Sequence, residues 1–147
     1  MKHLRLYEIL AFAILVSLTA LAGVSCSKAQ TSSQQLEGIT WVLKSYGHPP
    51  SMAQVLADKE VTLSFDKARG QISGNGGVNG YGGTYVLKGN QLTISDVVHT
   101  LIASTNQALN EQETAFFKIL QSAQSFNINN GTLTITGSEG NLVFSLE

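Results

Sequence analysis

Apolar and polar residues alternate in short runs over most of the chain beyond residue 36, and the runs are separated by Gly and Asn. Val61, Leu63 and Phe65 alternate with Thr62 and Ser64, the period of a strand with one wet face. Residues 66–70 then supply a turn into residues 71–73, which predicts a hairpin. Residues 39–46, around Trp41, read as a first strand, broken by Gly47 and His48 and ended by Pro49 and Pro50, which have no N–H to give a ladder. Residues 84–88 and 91–95 flank Gly89 and Asn90, and residues 126–128 and 132–136 flank Asn129, Asn130 and Gly131. Both connections tolerate positive φ, so two more hairpins are expected. Leu142, Phe144 and Leu146 make a final strand.

One interval departs from this period. Asn110 stands three residues before Glu113, a cap-like arrangement, and Leu109, Phe116 and Leu120 fall near helical spacing with Phe117 and Ile119 adjacent. The spacing predicts one helix over residues 110–121, its Phe pair packed on the sheet because a lone helix must bury its apolar stripe.

The N-terminal pattern is different again. Lys2, His3 and Arg5 precede an apolar run over residues 9–24, the layout of a secretory signal. A spanning helix needs about 20 apolar residues, and extending the run upstream would enclose Glu8. Cys26, the only cysteine, follows the run directly, where a lipoprotein signal places the thiol that receives diacylglycerol. Ser25 is suitably small at that cleavage edge, although Gly23 stands where a larger aliphatic residue is usual. Ordinary secretion after Ala22 is the alternative. The expected organisation is a lipoprotein signal peptide over 1–25, a polar tether over 26–35 starting at lipidated Cys26, and one β domain over 36–147. At about 0.8 kcal/mol per buried methylene, two or three acyl chains on Cys26 would hold the protein at a membrane without a spanning helix. Ser27 is not the acidic residue that often retains lipoproteins at an inner membrane, so an outer membrane is expected in a host with two.

Composition narrows the partners. Charged residues are 13% of the chain, and without Lys2, Arg5 and Glu8 the mature part is near −2, so no basic surface for nucleic acid is implied. Six glycines lie between Gly74 and Gly83, suiting tight bends or close backbone approach, but the segment lacks a P-loop ending and the GxGxxG register. Asn75 and Asn79 are candidates for ordering a loop or holding a ligand, and Tyr81 and Tyr85 for lining a barrel mouth; structural roles compete at all four. Asp96, His99 and Ser104 are the residue types of a hydrolase triad, without a nucleophile-elbow motif. His48, Asp96 and His99 fall short of a zinc set, which needs convergent, spaced ligands. No cofactor, metal or catalytic residue is therefore expected.

Trp41 in the first strand, the run from Gly74 to Tyr85 (Gly-Asn-Gly-Gly-Val-Asn-Gly-Tyr-Gly-Gly-Thr-Tyr) and the run Thr100-Leu101-Ile102-Ala103-Ser104 before the helix together resemble the META domain family. That family includes heat-inducible bacterial lipoproteins of the HslJ type, and the resemblance covers residues 36–147. It implies a mainly β fold, a small antiparallel barrel-like or strongly curled sheet with one packed α-helix, exported to the envelope and associated with stress or antibiotic tolerance. The family usually shows Gly-Cys-Asn where this chain has Gly77-Val78-Asn79, and Met-Ala-Cys where it has Ile102-Ala103-Ser104, so a disulfide between those positions is impossible here. A bridge closing such a loop would contribute roughly 3–4 kcal/mol in the chain-entropy model, to be replaced here by packing, with Val78 filling the space.

These observations favour a non-enzymatic envelope lipoprotein that binds a protein or envelope component during stress. A barrel enclosing a small apolar ligand and a tethered inhibitor of a secreted hydrolase, using the glycine-rich loop, are the competing expectations.

Overall fold

The computed structural model describes residues 36–56 and 59–147. The expected signal peptide, Cys26 and the tether over 26–35 lie outside the described residues. The elements run β1 (Thr40–His48), β2 (Ser51–Gln54), β3 (Thr62–Asp66), β4 (Gln71–Asn75), β5 (Gly80–Lys88), β6 (Gln91–His99), α1 (Gln107–Gln121), β7 (Ala123–Asn129), β8 (Thr132–Gly137) and β9 (Gly140–Leu146).

Each strand pairs antiparallel with its neighbour, and β9 returns to β1, so eight strands close into a barrel with one packed helix. The ninth, β2, stands outside the ring: β3 pairs with residues 40–42 of β1, and β2 takes over the same edge at residues 45–48. An eight-stranded barrel is just wide enough for its interior to be filled by side chains. Period-2 alternation supplies them here, with Leu63 and Phe65, Leu92 and Ile94, Leu133 and Ile135, and Leu142 and Phe144 all buried. Trp41 adds the largest side chain, its Nε1 donating to the Leu36 carbonyl at 3.0 Å.

Strand directions sort the connections to two ends. At one end are the turns after β3, β5 and β7, together with the chain entry, where Gly38 N donates to Phe65 O and Tyr85 Oη donates to Glu37. At the other lie the β4–β5 and β8–β9 connections and the loop from β6, and α1 crosses this end. Gln112 Oε1 accepts from Leu56 N, Glu113 reaches Val78, and Lys118 pairs with Glu139. The helix buries Leu109, Phe116, Phe117, Ile119 and Leu120 as a lid on the core. The described chain thus begins at the end remote from α1.

Three sequence expectations need correction. The first strand runs on to His48, and β2 follows at once beyond the prolines, where no alternation marks it. The helix begins at Gln107 with Asn106 as its cap, its side chain accepting from Ala108 N; Asn110 lies inside the helix and bonds Ser104 instead. The glycine-rich segment is mostly strand: Gly74 and Asn75 end β4, and Gly80, Gly82 and Gly83 pair within the sheet, so only residues 76–79 form the connection.

Candidate functional site

The β4–β5 connection is a short turn closed by Gly76 N donating to Asn79 O at 2.7 Å, and Gly77 N donates to Asn75 Oδ1 at 2.7 Å. Gly77 has a φ of 108°, a backbone state side-chain-bearing residues rarely take. Gly76 packs under the helix: a Cβ there would meet Glu113 Oε1 at 2.7 Å and Phe117 Cζ at 2.8 Å. Gly76→Ala is therefore expected to cost about 1–3 kcal/mol by overpacking. It is checked by the urea midpoint; an unchanged midpoint would mean the helix yields freely.

Glu113 is the hub of this end. Its Oε1 accepts from Val78 N at 3.0 Å and Asn79 N at 2.6 Å, and its Oε2 accepts from Asn79 Nδ2. Asn79 passes the connection on. Its Oδ1 accepts from Thr100 Oγ1 at 2.7 Å and Ile102 N at 2.8 Å, and its Nδ2 also donates to Ile102 O at 2.9 Å. A buried carboxylate and a buried amide with their hydrogen-bonding groups matched form a stiff network, since any lost partner leaves a desolvated group behind. Helix, glycine turn and the loop from β6 to α1 are thereby locked together. The segments Gly77–Asn79 and Ile102–Ser104 are joined here by hydrogen bonds between Asn79 and Ile102, and Val78 is half-buried.

The locked loop presents what the core does not use. Leu101 is 91% exposed, Ile102 63% and Val98, near the end of β6, 70%. Beside them β5 offers Gly80 and Gly82, bare of side chains, so Val98 stands beside an open apolar shelf. On the other side, His99 lies flat on Phe117, ring centroids 4.6 Å apart at 10°. There a cleft of about 420 Å³ separates β6 from α1, lined by His99, Glu113, Thr114, Phe117, Lys118 and Gln121. Lys118 holds Glu139 at 2.7 Å and lowers the pKa of that carboxyl.

Of the sequence candidates, Asn75, Asn79 and Tyr81 come together at the helix end. Tyr81 is buried against Phe116 and Phe117, donates its hydroxyl to Thr62 O at 2.8 Å, and has its pKa raised by burial. Tyr85 points to the opposite end, where it donates to Glu37; burial first and that bond second raise its pKa. The two tyrosines therefore do not line one mouth. Asp96 accepts from Thr84 Oγ1, Ser104 Oγ accepts from Asn106 N, and His99 faces Phe117, so these three are separately engaged. No group of three or more His, Cys, Asp or Glu among the described residues could hold a metal ion.

In the sequence Glu113 stands only as a capping partner, and Leu101 and Ile102 only as part of the run that resembles the family, not as site residues. The available signal was that Glu113 sits in the stripe of Leu109, Phe116 and Leu120, a charge on the core face of the helix.

Comparison with known proteins finds that the META domain model matches residues 34–147. No curated protein matches the chain. Among solved structures, an NMR structure of a protein from Burkholderia xenovorans is similar at a TM-score of 0.66 and 21% identity, covering 79% of this chain and 86% of that one. A second NMR structure is similar at 0.61 and 21%, covering 77% and 92%. The crystal structure of a duf4847 family protein from Bacteroides vulgatus is similar at 0.55 and 15%, covering 78% and 96%. At these identities the likeness is one of fold.

Proposed function

Because the chain belongs to the META domain family, we propose that it is a non-enzymatic binding module of the bacterial envelope, lipid-anchored through Cys26, whose helix end engages a protein partner during stress. The observation that carries this reading is the pairing of exposure with rigidity: Leu101 and Ile102 stand in solvent on a loop that Asn79 and Glu113 hold fixed. A preordered apolar loop binds without the entropy cost of ordering it at the moment of contact. The packed interior, with Trp41, Phe116 and Phe144 fully buried, favours a surface role over enclosure of a small ligand.

Anchoring gives the loop a direction. The described chain starts at the end remote from α1, so a barrel held through the segment before residue 36 turns Leu101 and Ile102 toward the aqueous compartment. An envelope protein is the partner that fits. Outer-membrane placement and a role in heat or antibiotic tolerance are part of the same proposal, by family resemblance.

The test is photo-crosslinking in cells from a benzophenone amino acid at position 101, with Leu101→Ser/Ile102→Ser and Cys26→Ala variants. A recurrent envelope-protein adduct at position 101, whose co-purification the Leu101→Ser/Ile102→Ser variant loses, is expected, with urea stability changed by less than about 0.5 kcal/mol because both side chains are exposed. Cys26→Ala should lose the lipid mass and leave the membrane fraction. No adduct, or turnover that depends on His99, would overturn the reading.

A further inference from the structure

Three Asn-Gly pairs occur in the chain: Asn75-Gly76, Asn79-Gly80 and Asn130-Gly131. In such a pair the glycine nitrogen, with no side chain beside it, stands one ring closure from the asparagine's side-chain carbonyl carbon, so the side-chain amide is readily lost. Ring closure needs an amide free to turn and an attacking nitrogen free to approach. The fold treats the three pairs differently on both counts.

Two pairs are held. Asn79 is 3% exposed and both ends of its amide are engaged, Oδ1 by Thr100 Oγ1 and Ile102 N, Nδ2 by Glu113 and Ile102 O. At Asn75 the attacking group itself is tied, because Gly76 N donates to Asn79 O at 2.7 Å, and Asn75 Oδ1 accepts from Gly77 N. Either pair must break hydrogen bonds in a packed region before it can react, and such local opening costs free energy. The third pair is not held. Asn130 and Gly131 are the whole of the β7–β8 turn, since Asn129 and Thr132 already pair. Their φ values of 48° and 74° are both positive, as a two-residue hairpin turn of the primed kind requires. Asn130 is exposed, and among the described residues neither its side-chain amide nor Gly131 N has a hydrogen-bond partner.

We propose that Asn130 is a site of spontaneous covalent modification, the pair among the three that the fold leaves able to lose its amide. Gly131 N attacks Asn130 Cγ; the new C–N bond forms as the Cγ–Nδ2 bond breaks, the Gly131 proton leaves with that nitrogen as ammonia, and a five-membered succinimide remains. Water then opens the ring. Addition at Cγ gives aspartate, and addition at the main-chain carbonyl carbon of residue 130 gives isoaspartate, in which the backbone runs through the side chain. Nothing is oxidised or reduced. Aspartate keeps the length of the turn and tolerates a left-handed backbone, so it adds a negative charge and little else. Isoaspartate adds a methylene to a turn whose length sets the strand register. The disturbance falls where Leu146 N donates to Gly131 O and fastens the end of β9. That end of the barrel is remote from Leu101 and Ile102, so the inference is independent of the binding reading.

The test ages the purified protein in mildly alkaline buffer, where the attacking N–H loses its proton more readily, and maps it by trypsin and tandem mass spectrometry. Isoaspartate is counted by methyl transfer from an isoaspartyl-specific methyltransferase. Cleavage after Arg69, Lys88 and Lys118 puts Asn75 and Asn79 in one peptide and Asn130 in another. In the native protein the exchange of NH2 for OH should accumulate at Asn130 about tenfold faster than at Asn75 or Asn79, a protection that a modest cost of local opening supplies. In urea the three rates should converge, since the three sites share one dipeptide. Amide exchange should rise at Leu146 in the isoaspartate fraction and stay unchanged at Ile102. An Asn130 that stays intact in the native protein, equal native rates at the three sites, or a preference for Asn130 that survives urea would overturn the proposal. Unchanged exchange at Leu146 would overturn the stated effect on the end of β9.

Discussion

Glu113→Ala is expected to lower the stability of the domain by about 3–5 kcal/mol, since it strips the acceptor from Val78 N, Asn79 N and Asn79 Nδ2 in a buried setting, and each orphaned donor costs roughly 1–3 kcal/mol. Against a total of about 5–15 kcal/mol for a domain, that is a large fraction. Glu113→Gln separates the effect of the acceptors from that of the side chain's volume. It keeps one oxygen for the two backbone donors but turns an NH2 toward Asn79 Nδ2, donor against donor, so an intermediate loss is expected. Urea unfolding should rank wild type above Gln above Ala. Amide exchange at Ile102 should rise in the same order, because Asn79 transmits the loss to the loop. A Gln variant as stable as the wild type would show that the Asn79 Nδ2 bond contributes nothing.

That hub also marks the boundary of what the sequence discloses. The barrel strands are legible because each buries one face, so Leu63 and Phe65 or Leu133 and Ile135 announce themselves by alternation, and Gly89 with Asn90 or Asn130 with Gly131 announce the turns. β2 is not legible, because Ser51–Gln54 lies outside the closed ring and buries no alternating face. The helix starts after Asn106 and not at Asn110, although both asparagines offer equivalent cap chemistry, because Asn110 is consumed by Ser104. The glycines from Gly74 to Gly83 fit both a turn and close backbone approach in the sequence, and the structure divides them: most of the run is paired strand and only residues 76–79 turn.

The candidate surface is less legible still. Glu113 meets Asn79 across 34 positions of sequence, a contact no local pattern encodes. Leu101 and Ile102 look like core residues in the sequence, and only the fold shows that they are outside it. Among the described residues β6 has a single ladder pair with β7, Gln91 with Ser125, because β7 begins only after the helix that stands between them.

Trp41→Ala is expected to be the most damaging single change in the core, at about 3–5 kcal/mol for the lost side chain and its cavity, with up to roughly 1–3 kcal/mol more for the Leu36 carbonyl left without its donor. Trp41 is 1% exposed and lies on β1, which pairs with both β3 and β9, so the void opens at the seam where the barrel closes. Trp41→Phe divides the cost. It restores most of the apolar volume but not the indole N–H, and should fall below the wild type by about 1–3 kcal/mol, chiefly from the Leu36 carbonyl. Trp41 is the only tryptophan, so both variants are dark by indole fluorescence and unfolding is followed by far-UV circular dichroism. A Phe variant nearly as unstable as Ala would mean that the hydrogen bond closing Leu36 over the barrel outweighs the packing of the ring, and that the residues entering β1 are part of the core's lid. A Phe variant close to the wild type would leave ring volume as the governing contribution, with Leu36 held by its own burial.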